Sequence, residues 1–203
     1  MVHRMIRLVT SGLLIVLFVV GCRPGQPETP GGGAPGQTTA IMSMAVDATD
    51  GSLLKAAGGL FRSTDRGASW QPLPLTADFH PETITQVATS AAAPSSMYAA
   101  GSGAGVIRSD DGGQTWRWLS ASLPSQEVSA FAVHSFRADT LYAWIKGQGV
   151  FRTEDSGGRW QKMDVGPTTD VVALAHSTLE GSMNTGWLYA ATPDGPYLSM
   201  DCF

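Results

Sequence analysis

The stretch Ser109-Asp110-Asp111-Gly112-Gly113-Gln114-Thr115-Trp116 decides the fold, because it occurs again. Ser63-Thr64-Asp65-Arg66-Gly67-Ala68-Ser69-Trp70 and Thr153-Glu154-Asp155-Ser156-Gly157-Gly158-Arg159-Trp160 share its pattern, and Ser199-Met200-Asp201 begins a fourth copy. The copies start 46, 44 and 46 residues apart. A match at four constrained positions arises by chance in about one chain per thousand at average residue usage. Three at near-equal spacing therefore mark a repeat. The residue types explain one another. Gly67, Gly113 and Gly157 tolerate the positive φ that a tight turn needs. The carboxylates of Asp65, Asp111 and Asp155 can accept hydrogen bonds from backbone N–H groups just downstream, closing an Asx-type turn. Trp70, Trp116 and Trp160 can then fold over the turn and bury a large apolar area. The motif reads as a structural staple, since a carboxylate present in every unit serves every unit equally and catalysis would need it once.

Working outward, the flanks repeat too. Upstream lie Leu53-Leu54-Lys55-Ala56, Met97-Tyr98-Ala99-Ala100, Leu141-Tyr142-Ala143-Trp144 and Leu188-Tyr189-Ala190-Ala191. After a glycine turn come Leu60-Phe61-Arg62, Val106-Ile107-Arg108, Val150-Phe151-Arg152 and the divergent Pro196-Tyr197-Leu198. Earlier in each unit, residues 41–46, 84–88, 128–133 and 171–175 form apolar runs that suit strands buried on both faces. Residues 70–73, 116–119 and 160–163 supply a last strand. Four strands per unit of about 45 residues predict an all-β fold, a β-propeller of four-stranded antiparallel blades. It should be incomplete, with three full blades and a truncated fourth, because the pattern asks for glycine where the chain has Phe203. Propellers close with about 4 to 8 blades. The expectation is thus an open arc with unpaired strand edges, prone to self-association. It is either the N-terminal part of a longer propeller or a piece of an assembly completed by a second chain.

These residues give the chain a resemblance to the Asp-box, or bacterial neuraminidase repeat, propellers over residues 41–201. Members include sialidases, sortilin-type receptors, xyloglucan-hydrolysing enzymes and propeller assembly factors of photosystem II. The resemblance implies the fold more than the function, and implies that the boxes lie on the outer rim, away from the central channel where ligands bind. A sialidase would also resemble its family through a Phe/Tyr-Arg-Ile-Pro motif, an arginine triad and a Tyr/Glu pair, and no such motif is present. Arg62, Arg108 and Arg152 occupy one repeat position and read as partly exposed strand residues whose stems cover apolar surface.

Composition narrows the classes further. With 24 Gly and 12 Pro in 203 residues and 15% charged side chains, a coiled coil or long helical bundle is excluded. The 13 basic residues against 17 acidic ones, net charge −4, speak against a nucleic-acid partner. A glycosidase needs two carboxylates about 5–10 Å apart across a cleft. Glu82, Glu127 and Asp170 each stand one or two residues before an inner apolar run, near the channel mouth. They read as solvated loop acids or, more sharply, as a weakly acidic mouth for a cation or basic partner. His134 and His176 fall at matching ends of inner strands without a cluster at ligand spacing, which suits strand-end packing. His80 lies in an exposed loop. Gly101, Gly103 and Gly105 precede a strand rather than a helix and read as a hairpin loop, not a phosphate cradle. No serine or cysteine nucleophile has a recognisable partner. No catalytic residue, metal ligand or cofactor is assigned.

The N-terminus gives an address. Residues 1–21 have the parts of an export signal: basic His3, Arg4 and Arg7, an apolar run over 8–20, and Gly21. That run falls short of the roughly 20 residues a bilayer needs and ends in Pro24 and Gly25. Val19-Val20-Gly21-Cys22 resembles the lipobox of bacterial lipoproteins, which implies acylation of Cys22 and cleavage before it. Each buried acyl methylene adds about 0.8 kcal/mol of membrane affinity. An acylated Cys22 would leave Cys202 without an intramolecular partner. Residues 22–39 read as a Pro/Gly-rich flexible tether, and residues 40–203 as the propeller repeats. The sum is an exported, lipid-anchored, non-catalytic protein on the extracytoplasmic side of a bacterial membrane, binding a protein or glycan. The alternative is the N-terminal fragment of a sialidase- or xyloglucanase-like glycoside hydrolase whose catalytic residues lie on missing blades.

Overall fold

The recurring turns divide the chain into antiparallel sheets. The structure is a computed structural model, and it describes residues 40–76, 78–177, 179 and 186–199. The expected export signal and tether, with Cys22, and likewise Asp201 and Cys202, lie outside the described residues. The first blade is β1 (Ser43–Val46), β2 (Leu53–Ala56), β3 (Leu60–Ser63) and β4 (Gln71–Pro72), paired in chain order. The second is β5 (Gln86–Ser90), β6 (Ala93–Gly101), β7 (Gly105–Ser109) and β8 (Arg117–Trp118), again in chain order. The third is β9 (Val128–His134), β10 (Arg137–Ile145), β11 (Gly149–Thr153) and β12 (Gln161–Lys162). The described part of the fourth holds β13 (Ala173–His176), β14 (Leu188–Thr192) and β15 (Gly195–Ser199). This is the expected all-β propeller architecture, with three four-stranded blades and a three-stranded fourth.

Side chains alternate across each sheet, so every inner blade has two apolar faces. Leu54, Ala56 and Leu60 of the first blade pack with Met97, Ala99, Ile107 and Trp116 of the second. Tyr98 and Val106 of the second meet Leu141, Ala143, Phe151 and Trp160 of the third. Tyr142, Trp144 and Val150 of the third meet Leu174, Leu188 and Ala190 of the fourth. The core is thus three layers between four blades, and β1 packs on β5, β5 on β9 and β9 on β13.

One expectation about these strands needs correcting. The inner runs are not all buried on both faces. β9 is mostly buried, whereas β1 alternates, with Met44 and Val46 exposed. β13 likewise turns Ala173 and Ala175 outward. The physical reason is position: among the described residues the first and fourth blades each have one face without a neighbouring blade. Antiparallel pairing also sorts the loops. The boxes and the loops joining first to second strands lie at one end of the blades. The middle hairpins and the loops leading into each new blade, including the 3₁₀ turn Pro81–Thr83, lie at the other.

Candidate functional site

Each of the three boxes whose aspartate is described closes through its carboxylate, with a hydroxyl at its centre. Asp65 Oδ1 accepts from the Ser69 N–H at 2.8 Å and from the Ser63 hydroxyl at 2.7 Å, and Ser63 Oγ in turn accepts from the Gly67 N–H at 2.7 Å. Asp111 repeats this with the Thr115 N–H at 2.9 Å and the Ser109 hydroxyl at 2.7 Å, and Ser109 Oγ accepts from the Gly113 N–H. In the third box Asp155 takes the Arg159 N–H at 2.9 Å and the Thr153 hydroxyl at 2.7 Å, and Thr153 Oγ1 accepts from the Gly157 N–H. Ser69 and Thr115 add a second hydroxyl donor to the far carboxylate oxygen, at 2.5 and 2.6 Å. That hydroxyl is the strongest cause holding Asp65 and Asp111 down to about 2, ahead of the backbone N–H. Asp155 faces Arg159 there and is lowered chiefly by the backbone N–H.

Gly67, Gly113 and Gly157 have φ of 91°, 89° and 85°, as the turn requires. Trp116 and Trp160 cover their turns and are buried, and the Trp160 indole N–H donates to Leu119 O of the preceding blade at 2.7 Å. Trp70 stays half-buried under the Lys55 ammonium, 4.2 Å from its ring centroid. The described residue of the fourth box, Ser199, is buried at the end of β15.

The arginines before the boxes are not a triad round the channel. Arg62 pairs with buried Asp47 at 2.8 Å and with Asp50 at 2.9 Å. Arg108 pairs with Asp110 at 2.6 Å and lies 5.3 Å from the Tyr98 ring centroid, and Arg152 pairs with Glu154 at 3.5 Å. Burial pushes the Asp110 carboxyl up, but the Ser96 hydroxyl and the Arg108 guanidinium outweigh it and hold it below the usual range. Two of these arginines also reach the box turn of the next blade, Arg62 to Gly112 O at 3.5 Å and Arg108 to Ser156 Oγ at 3.2 Å.

Where the inner strands converge they enclose a groove of about 420 Å³, walled by Met42, Met44, Thr89, Phe131, Val172 and neighbouring residues of all four. Among the described residues no Asp, Glu, Lys or Arg lines it. The polar residues of these strands stitch one blade to the next. Thr89 donates to Val46 O at 2.7 Å, Gln86 to Ser129 O at 2.8 Å and Ser135 to His176 O at 2.8 Å. Ser43 Oγ lies 3.3 Å from both Val87 N and Val87 O.

Glu82, Glu127 and Asp170 stand at the end opposite the boxes, each exposed and each held locally. Glu82 lies 3.6 Å from His80, Glu127 accepts from the Ser102 hydroxyl, and Asp170 lies 3.5 Å from Lys146. None of them lines the groove. Asp170 borders a separate hollow of about 310 Å³ beside the β10–β11 hairpin, where Trp144 replaces the alanine of other blades. His134 and His176 are brought together at the box end, ring centroids 3.9 Å apart. Their Nδ1 atoms accept the N–H groups of Phe136 and Ser135, each at 3.1 Å. Among the described residues no three His, Cys, Asp or Glu side chains converge as metal ligands. The stitching and the His stack were beyond sequence reasoning. Their only trace is the Ser, Thr and Gln interrupting the apolar runs.

No family model matches the sequence, and no curated protein matches it. Solved structures do. The GH74 xyloglucanase of Xanthomonas campestris superposes with a TM-score of 0.62 at 21% identity, over 82% of this chain and 30% of its own. The Niastella koreensis GH74 enzyme gives 0.60 at 16% identity, over 81% and 29%. YCF48 bound to D1 peptide gives 0.55 at 20% identity, over 77% and 49%. This chain spans about three-tenths of the two GH74 chains and half of the YCF48 chain. The likeness is one of β-propeller fold.

Proposed function

We propose that this chain is a non-catalytic, extracytoplasmic lipoprotein whose Asp-box propeller repeats bind a protein or glycan. The observation that carries the reading is the groove between the inner strands, about 420 Å³, with no carboxylate among the described residues of its wall. Such a wall grips a ligand by shape and offers no acid–base pair for glycoside cleavage. The lipobox supports the address. YCF48 has been solved with a D1 peptide, which makes an extended polypeptide the first occupant to try.

Assays of the full chain on sialosides and β-glucans are expected to show no turnover. Turnover lost on Asp170→Asn would refute the binding reading. It would favour the second reading, a glycoside hydrolase fragment, which draws its support from the likeness to two GH74 structures. Glu127→Gln with Asp170→Asn is expected to weaken capture of a basic peptide at the channel mouth, and unchanged capture removes the acidic-mouth idea. Metabolic labelling with palmitate is expected to mark the chain, and Cys22→Ser to abolish the label. A labelled Cys22→Ser protein would defeat the lipoprotein assignment.

A further inference from the structure

Among the described residues two sheet faces lack a neighbouring blade, and they differ from the repeat in matching ways. On the first blade, Met44 and Val46 are 51% and 56% exposed, and Trp70 is half-buried while Trp116 and Trp160 are each 7% exposed. On the fourth blade, Tyr189 and Leu198 are 37% and 52% exposed. At the first two inner junctions the arginine before the box reaches the fourth box position of the next blade, Gly112 from Arg62 and Ser156 from Arg108. The first blade instead carries Arg66 at that position, and the fourth carries Leu198 where the arginine should stand. Both departures fall on the unpartnered faces. An arginine at 198 would oppose Arg66, whereas a leucine gives its stem an apolar surface.

We propose that two copies of this chain join head to tail. The outward face of each first blade sits on the outward face of the other copy's fourth blade, and a two-fold axis makes the two contacts equivalent. Unlike faces that meet twice about such an axis close a ring and leave no free end. The described blades of the two copies together number eight, within the range in which propellers close. Tyr189, counterpart of Leu54, Tyr98 and Tyr142, then brings a phenol ring towards Lys55, which replaces the alanines at 99, 143 and 190. Lys55 already lies against the aromatic rings of Phe61 and Trp70, and an added ring face suits its ammonium. This inference concerns assembly and stands apart from the identity of the ligand.

The test is the molar mass of the full chain in detergent micelles, by light scattering with the micelle subtracted. The expected value is twice the 21.3 kDa chain, or twice the processed chain if the signal is removed. Leu198→Arg is expected to weaken the dimer by about tenfold or more through repulsion from Arg66. Leu198→Glu, equally polar but opposite in sign, should dimerise more tightly than Leu198→Arg, and adding Arg66→Glu to Leu198→Arg should restore the dimer. Leu198 is exposed in the single chain, so these variants should share one unfolding midpoint under dilute, monomeric conditions. A single-chain mass at micromolar concentration overturns the proposal. So does a dimer that responds alike to Arg and Glu at position 198, or an open-ended series of larger species.

Discussion

Asp111 holds its turn from the surface, so its contribution depends on the proton concentration around it. Its carboxylate is held at about 2 against an ordinary 3.8, first by the Thr115 hydroxyl, and Asp65 behaves alike through Ser69. Between those values the unfolded chain binds protons that the folded box does not, so folding weakens as pH falls. The stabilisation is expected to be complete above about pH 4 and lost as pH drops towards 2. Urea midpoints measured from pH 5 to pH 2 should fall, and the fall should be shallower in Asp65→Asn/Asp111→Asn. An equal slope would place the acid sensitivity elsewhere. The glycines separate by what surrounds them. Gly67→Ala meets ordinary contacts at 3.7 Å and carries mainly the strain of positive φ, about 1–2 kcal/mol. Gly157→Ala would also drive its Cβ into the Leu119 backbone, so it should cost clearly more in the same melts. The aspartates and glycines were legible because their jobs are local. The hydroxyl of Ser69 or Thr115 was not singled out, since Arg159 at the same repeat position hides the requirement.

Three tryptophans that read identically in the sequence have different surroundings. Trp116 and Trp160 are clamped against the preceding blade, and replacing either by alanine should cost about 3–5 kcal/mol by denaturant unfolding. Trp70 has no preceding blade among the described residues and is only half-buried, so Trp70→Ala should cost less than half as much in the single chain. Equal losses would mean that the outward face of the first blade is covered. The same asymmetry explains why the inner apolar runs were misread. Their composition reports what the strand type usually meets, whereas burial of β1 and β13 depends on how many blades stand beside them. The acids before β5, β9 and β13 stand at the end opposite the boxes and outside the groove wall, and their partners were not legible. Ser102 and Lys146 belong to the hairpin of the preceding blade, and no sequence spacing announces that contact.

The described blades form a row in which each leans on the next, so in the dilute, monomeric chain stability should decline towards both ends of that row. Amide exchange is expected to be slowest in β6 and β10 and fastest in β1 and β13, and uniform protection would contradict a row of this kind. The architecture was readable from the motif period, because one supersecondary unit repeated at that interval has few solutions. The binding surface was less so, since its wall is assembled from strands more than 40 residues apart. The stitching along that wall sets a rule for any visitor. The Val46, Ser129 and His176 carbonyls, and both backbone groups of Val87, are already occupied by serine, threonine and glutamine side chains. A guest polypeptide therefore finds these groups taken, which interrupts any ladder it could form along the inner strands. Selectivity must come from the fit of its side groups, so scrambling a guest's sequence should abolish capture even when its extended shape is kept.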